Sequence, residues 1–375
     1  MLELEPRRTP SRAMALASPL LALALTVAIG VGLFLALGKD PLEALEMFFV
    51  LPLKDGRALA ELSIKATPLL LIALGLCVCF RSNVWNIGAE GQFICGAICA
   101  SWLAISATPE SSSLIVVPIL LAGMAGGALW AALAAVLRDR FNANEILVSL
   151  MLVYVAEQVL AYLVFGPWKD PNGYNFPQTI TFADPSRIPR LLEGARANVG
   201  VLIALGLAGA FWAFLFRTHA GYRLEVGGRA PLAARYAGFS SRSALYLAFL
   251  VSGAMAGLAG ALEVAGPVGQ LTTHLPVGYG FAAIIVAFVG RLNPLGAVFA
   301  SVLLSMFYIG GELSQSRLGL PKSLSSVFQG LLLFALLACD TLINYRVRLR
   351  VRVPAHPLPS QALDVPVRAG GSREV

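Results

Sequence analysis

The sequence predicts an all-α polytopic membrane protein of about ten transmembrane helices, with a weak internal repeat and a short cytoplasmic helix. Three observations carry this. The 375-residue chain is 57% hydrophobic and 13% charged, with a mean hydropathy of +0.75. Soluble domains are about a quarter charged, and disordered chains are poor in apolar residues, so both classes are excluded. Its apolar runs approach the ~20 residues that a helix needs to cross a bilayer, and its Lys and Arg sort by loop, as the charge bias of membrane topology requires.

The runs lie at residues 14–38, 60–80, 86–107, 114–137, 145–166, 198–216, 243–265, 278–290, 294–312 and 323–341. Arg7, Arg8 and Arg12 precede the first, as in a signal peptide, but a signal h-region is only about 7–15 residues long. The run continues from Met14 to Gly38 and is read as an uncleaved span. The eighth run is short and is separated from the ninth only by Arg291-Leu292-Asn293-Pro294. A short, Gly/Pro-interrupted segment of this kind marks a broken helix at a transport pathway.

With ten spans and a cytoplasmic N-terminus, both termini are cytoplasmic. The inside segments then carry Arg7, Arg8, Arg12, Arg81, Arg138, Arg140, Arg217, Arg223, Arg229, Arg235, Arg242, Arg291 and the arginines after Tyr345. All five Lys (Lys39, Lys54, Lys65, Lys169, Lys322) fall outside. The net charge of +7 therefore reports orientation, and no nucleic-acid partner is expected. The chain divides into a cytoplasmic segment (1–13), a transmembrane domain in lipid (14–345) and a basic cytoplasmic tail (346–375). Within the domain, an outside loop (167–197) and a cytoplasmic loop (217–242) are long enough to hold structure. The outside loop, with Pro167, Pro171, Pro177, Pro185 and Pro189, reads as an ordered cap or a contact surface. In the cytoplasmic loop, Pro231, an Ala-rich body and Gly238 define a short helix with a stop signal, too short to cross the membrane.

Polar groups inside the apolar runs are costly, of order 2.5–3.5 kcal/mol for a central carboxylate. Glu90, Glu145, Glu157 and Glu263 sit there, with Asn86, Gln92, Asn144, Gln158, Asn293 and Gln329. Such groups face a wet cavity, one another or the interface. The candidates for a solute pathway are Asn86, Gly88, Glu90, Gly91, Gln92, Asn144, Glu145 and Asn293. The segment from Asn86 to Gln92 leads because two glycines and three polar side chains mark a place where a helix starts or breaks. Interhelical hydrogen bonding is the competing role, and for Glu145 a helix N-terminal carboxylate is the plainer one. Trp85, Tyr154, Tyr279 and Phe281 can stack on a ring but suit the interface or core better. A weak internal echo pairs Arg81, Asn86 and Gly88 with Arg291, Asn293 and Gly296.

Catalysis within the chain is not expected. The five Cys all lie in apolar runs without His partners, which fits packing rather than metal binding. The nearest approach to a phosphate loop, Gly32 to Lys39, has the wrong spacing and Asp40 where the motif needs Ser or Thr. No cofactor is expected in this chain.

The stretch Phe80-Arg81 through Asn86-Ile87-Gly88-Ala89-Glu90-Gly91-Gln92 resembles a signature of the permease subunits of bacterial ABC importers for nucleosides and simple sugars, relatives of the ribose and branched-chain amino acid permeases. The resemblance extends through Asn144-Glu145-Ile146, Gly166-Pro167-Trp168-Lys169-Asp170-Pro171 and Ala233-Ala234-Arg235-Tyr236-Ala237-Gly238, from about residue 57 to 345. It implies a bacterial inner-membrane subunit that forms a path for a nucleoside or simple sugar. It further implies a coupling helix, with Gly228, Pro231, Ala234, Arg235, Tyr236 and Gly238, that docks on a cytoplasmic ABC ATPase subunit holding the ATP. The other implied partners are an extracytoplasmic substrate-binding lipoprotein and a second, shorter permease paralogue, the latter suggested by the long outside loop. Arg229-Ala230 before Pro231, and Ser82-Asn83-Val84-Trp85 before Asn86, depart from the common pattern. An ion-coupled secondary transporter that uses the buried carboxylates is the alternative.

Overall fold

The computed structural model describes residues 2–6, 12–191, 194, 196–275, 277–321 and 323–349. Arg7, Arg8, Lys322 and residues 350–375 of the expected basic tail lie outside the described residues. Thirteen α-helices follow one another among the described residues: α1 (Arg12–Ala36), α2 (Pro41–Leu45), α3 (Gly56–Arg81), α4 (Ala89–Ile105), α5 (Val116–Phe141), α6 (Glu145–Phe165), α7 (Gly200–Arg217), α8 (His219–Arg229), α9 (Pro231–Tyr236), α10 (Ser241–Glu263), α11 (Tyr279–Val289), α12 (Pro294–Leu318) and α13 (Leu324–Asn344).

Each of the ten predicted apolar runs is helical. Eight of these helices are long and apolar enough to cross a membrane, whereas α4 and α11 are shorter apolar helices. The eighth run was expected to be short. The third was not: its helix begins at Ala89 rather than 86, because residues 82–88 leave the helical path.

The helix ends follow local chemistry. Asp55 caps α3 by accepting the Ala58 N–H at 2.8 Å, and Asn142 closes α5 in the left-handed conformation at φ 50°. Asn144 caps α6 through the Ile146 N–H (2.9 Å), and Asn293 caps α12 through the Leu295 N–H (3.1 Å), with Pro294 at the first helical position. Side-chain caps of this kind satisfy N–H groups that have no partner inside the helix.

The core is built around α3, which is buried without interruption from Ala66 to Phe80. Helices α4, α5 and α10 meet at glycines: a Cβ at Gly127 would lie 2.6 Å from Gly257 Cα, and one at Gly96 would lie 2.7 Å from the Gly257 carbonyl carbon. Gly123-x-x-x-Gly127 on α5 thus faces Gly253-x-x-x-Gly257 on α10. Small residues let backbones approach where no hydrophobic force between helices is available. Leu20, Leu129, Leu202 and Phe334, on α1, α5, α7 and α13, are exposed and supply an apolar outer surface.

Two elements near the chain's ends were not predicted. Between α1 and α3, α2 continues into a π-helical turn (Glu46–Val50) that buries Phe48 against Phe34, Phe307 and Phe328, with ring centroids 5.0–6.2 Å apart. Gly310 leaves room for that ring. A ribbon also pairs β1 (Leu2–Pro6) antiparallel with β2 (Tyr345–Leu349), in a register that sets Glu3 opposite Arg348 and Glu5 opposite Arg346. The ribbon adds strand to a fold otherwise all-α, and takes in residues 346–349 of the expected tail.

Ion pairs separate into two sets. At one face, Arg81 pairs with Glu225 (2.8 Å), Arg242 with Asp139 (2.6 Å) and Arg291 with Asp340 (2.8 Å), and Arg138 with Glu145. At the other, Lys65 pairs with Glu312 (3.0 Å) and Arg196 with Glu61 (3.3 Å). The 167–198 stretch lies over this second face, held by Thr179 N–H on the Leu271 carbonyl, Phe182 N–H on Gly269 and Ile188 N–H on Ala265.

Candidate functional site

The chain stops being helical between α3 and α4, and the residues singled out in the sequence show why. Ser82 folds its hydroxyl back onto the Val78 and Cys79 carbonyls, and Asn83 takes the left-handed conformation at φ 55°. Asn83 is a residue type that tolerates this conformation. An elbow results. Beyond it, the Asn86 and Gln92 side-chain amides bond each other reciprocally at 2.9 and 3.0 Å. Asn86 also donates to the Ser252 hydroxyl on α10 at 3.0 Å and accepts the Gly88 N–H at 3.1 Å. Both amides are buried, at 0% and 2% exposure. The four bonds of Asn86 use the full capacity of its amide and hold the start of α4 against α10.

Gly88 and Gly91 are close-approach positions. A Cβ at Gly88 would lie 2.5 Å from the Ser149 carbonyl oxygen, and one at Gly91 3.0 Å from Val153 Cα, both on α6. The Ser149 hydroxyl in turn accepts the Ile87 N–H at 3.2 Å.

Glu90, in the first turn of α4, reaches the first turn of α11. Its carboxylate accepts the Gly278 N–H at 2.9 Å and the Gly280 N–H in a shorter bond. Gly280 is pressed against the Glu90 backbone, where a Cβ would lie 2.6 Å from Glu90 Cα. The N-termini of the two short apolar helices therefore abut deep in the protein, with one carboxylate between them. Two positive helix ends are a favourable environment for that charge. Tyr279 packs beside them, edge-on to Phe93 (6.0 Å) and Tyr308 (5.3 Å), and is buried. Of the other rings considered for stacking, Trp85 lies against Phe80 (5.3 Å) and, like Tyr154 and Phe281, is exposed.

The remaining candidates sit elsewhere. Asn144 and Asn293 are helix caps, and Glu145 pairs with Arg138. Among the described residues no hydrogen bond joins these three to the Asn86–Gln92 cluster. Cys77, Cys79 and Cys95 are buried in the packed helices, as their apolar surroundings predict.

A second elbow follows α11 and repeats two turn bonds of the first. Asn83 N–H bonds Phe80 O (3.2 Å) and Val84 N–H bonds Cys79 O (2.9 Å); Arg291 N–H bonds Phe288 O (2.9 Å) and Leu292 N–H bonds Ala287 O (2.8 Å). Arg291 (φ 56°) and Leu292 (φ 51°) are left-handed like Asn83. The phenyl rings of Phe80 and Phe288 stack at 5.2 Å. By geometry Phe80 corresponds to Phe288 and Asn83 to Arg291, so the sequence echo, which paired Arg81 with Arg291, is out of step by two residues.

Beneath the elbows lies the predicted short helix. α9 begins at Pro231, and Gly238 closes it at φ 77°, its N–H on Arg235 O (3.0 Å), while Phe239 N–H reaches Ala234 O (2.9 Å). Leu232 and Tyr236 stand 72% and 95% exposed, while Ala234 is buried. Arg235 is exposed as well. The sequence did not disclose α8, which precedes α9 and places Gly228 against the first elbow: a Cβ there would lie 2.9 Å from the Ser82 carbonyl carbon. The available signal was Glu225, the one acidic residue between Arg217 and Arg242, which pairs with both Arg81 (2.8 Å) and Arg229 (2.9 Å).

Comparison with known proteins finds relatives along most of the chain. The family model described as branched-chain amino acid transport system / permease component matches residues 58–337. The glucose ABC transporter permease protein TsgB13 of Haloferax volcanii is 32% identical over 372 residues, covering 96% of this chain and 97% of its own. The nucleoside ABC transporter permease protein NupB of Lactococcus lactis is 27% identical, covering 84% and 89%. The guanosine ABC transporter permease protein NupP of Bacillus subtilis is 29% identical, covering 70% and 75%. No solved structure matches.

Proposed function

This chain belongs to the branched-chain amino acid transport system / permease component family, and from that premise we propose that it carries a simple sugar or a nucleoside as the permease subunit of an ABC importer. The end-to-end similarity to a glucose permease, with two nucleoside-type permeases behind it, carries this reading. A neutral, hydroxyl-rich solute suits a path without a fixed counter-charge, and Glu90, the leading carboxylate, is already bonded to two backbone N–H groups. That engagement also argues against an ion-coupled mechanism using Glu90.

In this reading the half-helices α4 and α11 border the pathway. The segment Asn86, Gly88, Glu90, Gly91 and Gln92 acts by holding the helix break open to the path, and Asn144, Glu145 and Asn293 act by fixing the helices around it. Helix α9, with Pro231, Ala234, Arg235 and Tyr236 and closed by Gly238, docks on the cytoplasmic ABC ATPase, which binds the ATP, while Gly228 on α8 seats this unit against the first elbow. The face bearing Arg81, Arg242 and Arg291 is then cytoplasmic, with both termini, in a bacterial inner membrane. The opposite face receives the substrate-binding lipoprotein on the 167–197 loop, and a second, shorter permease completes the channel.

The test is uptake into proteoliposomes holding this permease with its ATPase, second permease and binding protein. ATP-dependent uptake of a labelled sugar or nucleoside is expected. A complex that imports neither class, or that imports without ATP, overturns the reading.

A further inference from the structure

Arg81 sits at the first elbow and reaches both the coupling loop and the second elbow. Its Nη2 donates to Glu225 Oε2 on α8 at 2.8 Å, and its Nη1 to the Leu292 carbonyl of the second elbow at 3.3 Å. It closes the first elbow by position, at the last residue of α3. Its guanidinium also lies over the Phe216 ring at the end of α7, 4.6 Å from the centroid. Glu225 is held from its other oxygen by Arg229 at 2.9 Å. These groups line a cavity of about 310 Å³ with Phe80, Asn83 and Gly228. The pair is 13% and 28% exposed, so it is less screened than a surface ion pair. Removing one partner leaves the other charge poorly satisfied.

Resting on the reading of α9 as the ATPase-docking helix, we infer that Arg81 is a positioning residue for transport: it clamps α8 to both elbows, so that displacement of α8 and α9 reaches the starts of α4 and α12. Gly228 makes the contact backbone to backbone, and α8 cannot slide along the first elbow without breaking the Arg81–Glu225 pair. Chains of packed side chains and ion-pair networks with discrete arrangements can carry coupling of this kind. Lys does not replace Arg here, because an ammonium lacks the planar fork that spans Glu225 and the Leu292 carbonyl.

The experiment compares Glu225→Gln, Arg81→Lys and the exchanged pair Arg81→Glu with Glu225→Arg in the assembled complex in proteoliposomes, reading solute imported per ATP hydrolysed. The single variants are expected to lower that ratio about tenfold while ATP hydrolysis stays within about twofold, and the exchanged pair to recover part of the ratio. An unchanged ratio in both single variants overturns the inference. A set in which none assembles, the exchanged pair included, assigns the contact to folding alone and also overturns it. A wild-type complex without ATP-driven uptake overturns the functional reading instead, so the two failures are distinct.

Discussion

The carboxylate of Glu90 bonds the backbone N–H of Gly280, 190 residues away in the chain. One side chain thus closes the N-terminus of a helix other than its own, and the arrangement makes the two half-helices depend on each other. Glu90→Ala leaves the Gly278 and Gly280 N–H groups without their acceptor, at about 1–3 kcal/mol for each buried unsatisfied group. A lower melting temperature of the purified complex is expected, together with loss of uptake; Glu90→Gln, which retains one carbonyl acceptor, falls between. An alanine variant with wild-type melting and uptake contradicts the role.

The reciprocal amides of Asn86 and Gln92 form one unit with Ser252. Asn86→Ala and Gln92→Ala both break the reciprocal amide pair, so the double variant is expected to cost less than the sum of the two, with an interaction of about 0.5–3 kcal/mol. Denaturant or thermal unfolding of the three variants supplies the cycle. Additive costs mean that the two amides do not act together.

Backbone contact between α5 and α10 leaves no space at Gly127. Gly127→Val is expected to destabilise by at least about 1–3 kcal/mol, through overpacking against Gly257. Gly206 on α7 has open space around its missing Cβ, and Gly206→Val serves as the matched control. Size-exclusion profiles of tagged proteins in detergent distinguish them: the first should shift to aggregate and the second remain monodisperse.

Leu232 and Tyr236 are exposed on α9 and support no core. Tyr236→Ala is expected to change stability by no more than about 0.5 kcal/mol while weakening ATPase association by about 1–2 kcal/mol or more, as loss of an aromatic anchor does. Pull-down of the ATPase subunit against the melting curve of the permease separates the two effects. Undiminished association moves the docking site away from α9.

Much of the architecture was legible because hydropathy is a strong signal over a whole span. All ten runs became helices, and the break before Ala89 was visible in the crowding of Asn86, Gly88, Gly91 and Gln92. What those side chains bond was not legible. Asn86 finds Ser252 across 166 residues, and Arg81 finds Glu225 across 144, distances over which one sequence carries no pairing information. Asn144 and Asn293 illustrate another ambiguity: an Asn just before an apolar run fits a pathway residue and a helix cap equally well, and the hydrogen bonds decide for the cap geometry. The echo misled by identity, since Arg matches Arg at an offset where the turn bonds do not coincide. The π-helical turn around Phe48 escaped notice because its apolar stretch is too short to cross a bilayer.

The glycine seams of α4, α5 and α10 have a mechanical consequence. Where backbone rests on backbone there is no rotamer to change and no side chain to yield, so the three helices share one stiffness and travel as a single plate. The Phe34, Phe48, Phe307 and Phe328 cluster is of another kind, rings at 5.0–6.2 Å that can slip past one another. The seam is therefore expected to move as one body in transport, with the repacking taken up on the aromatic side of the molecule.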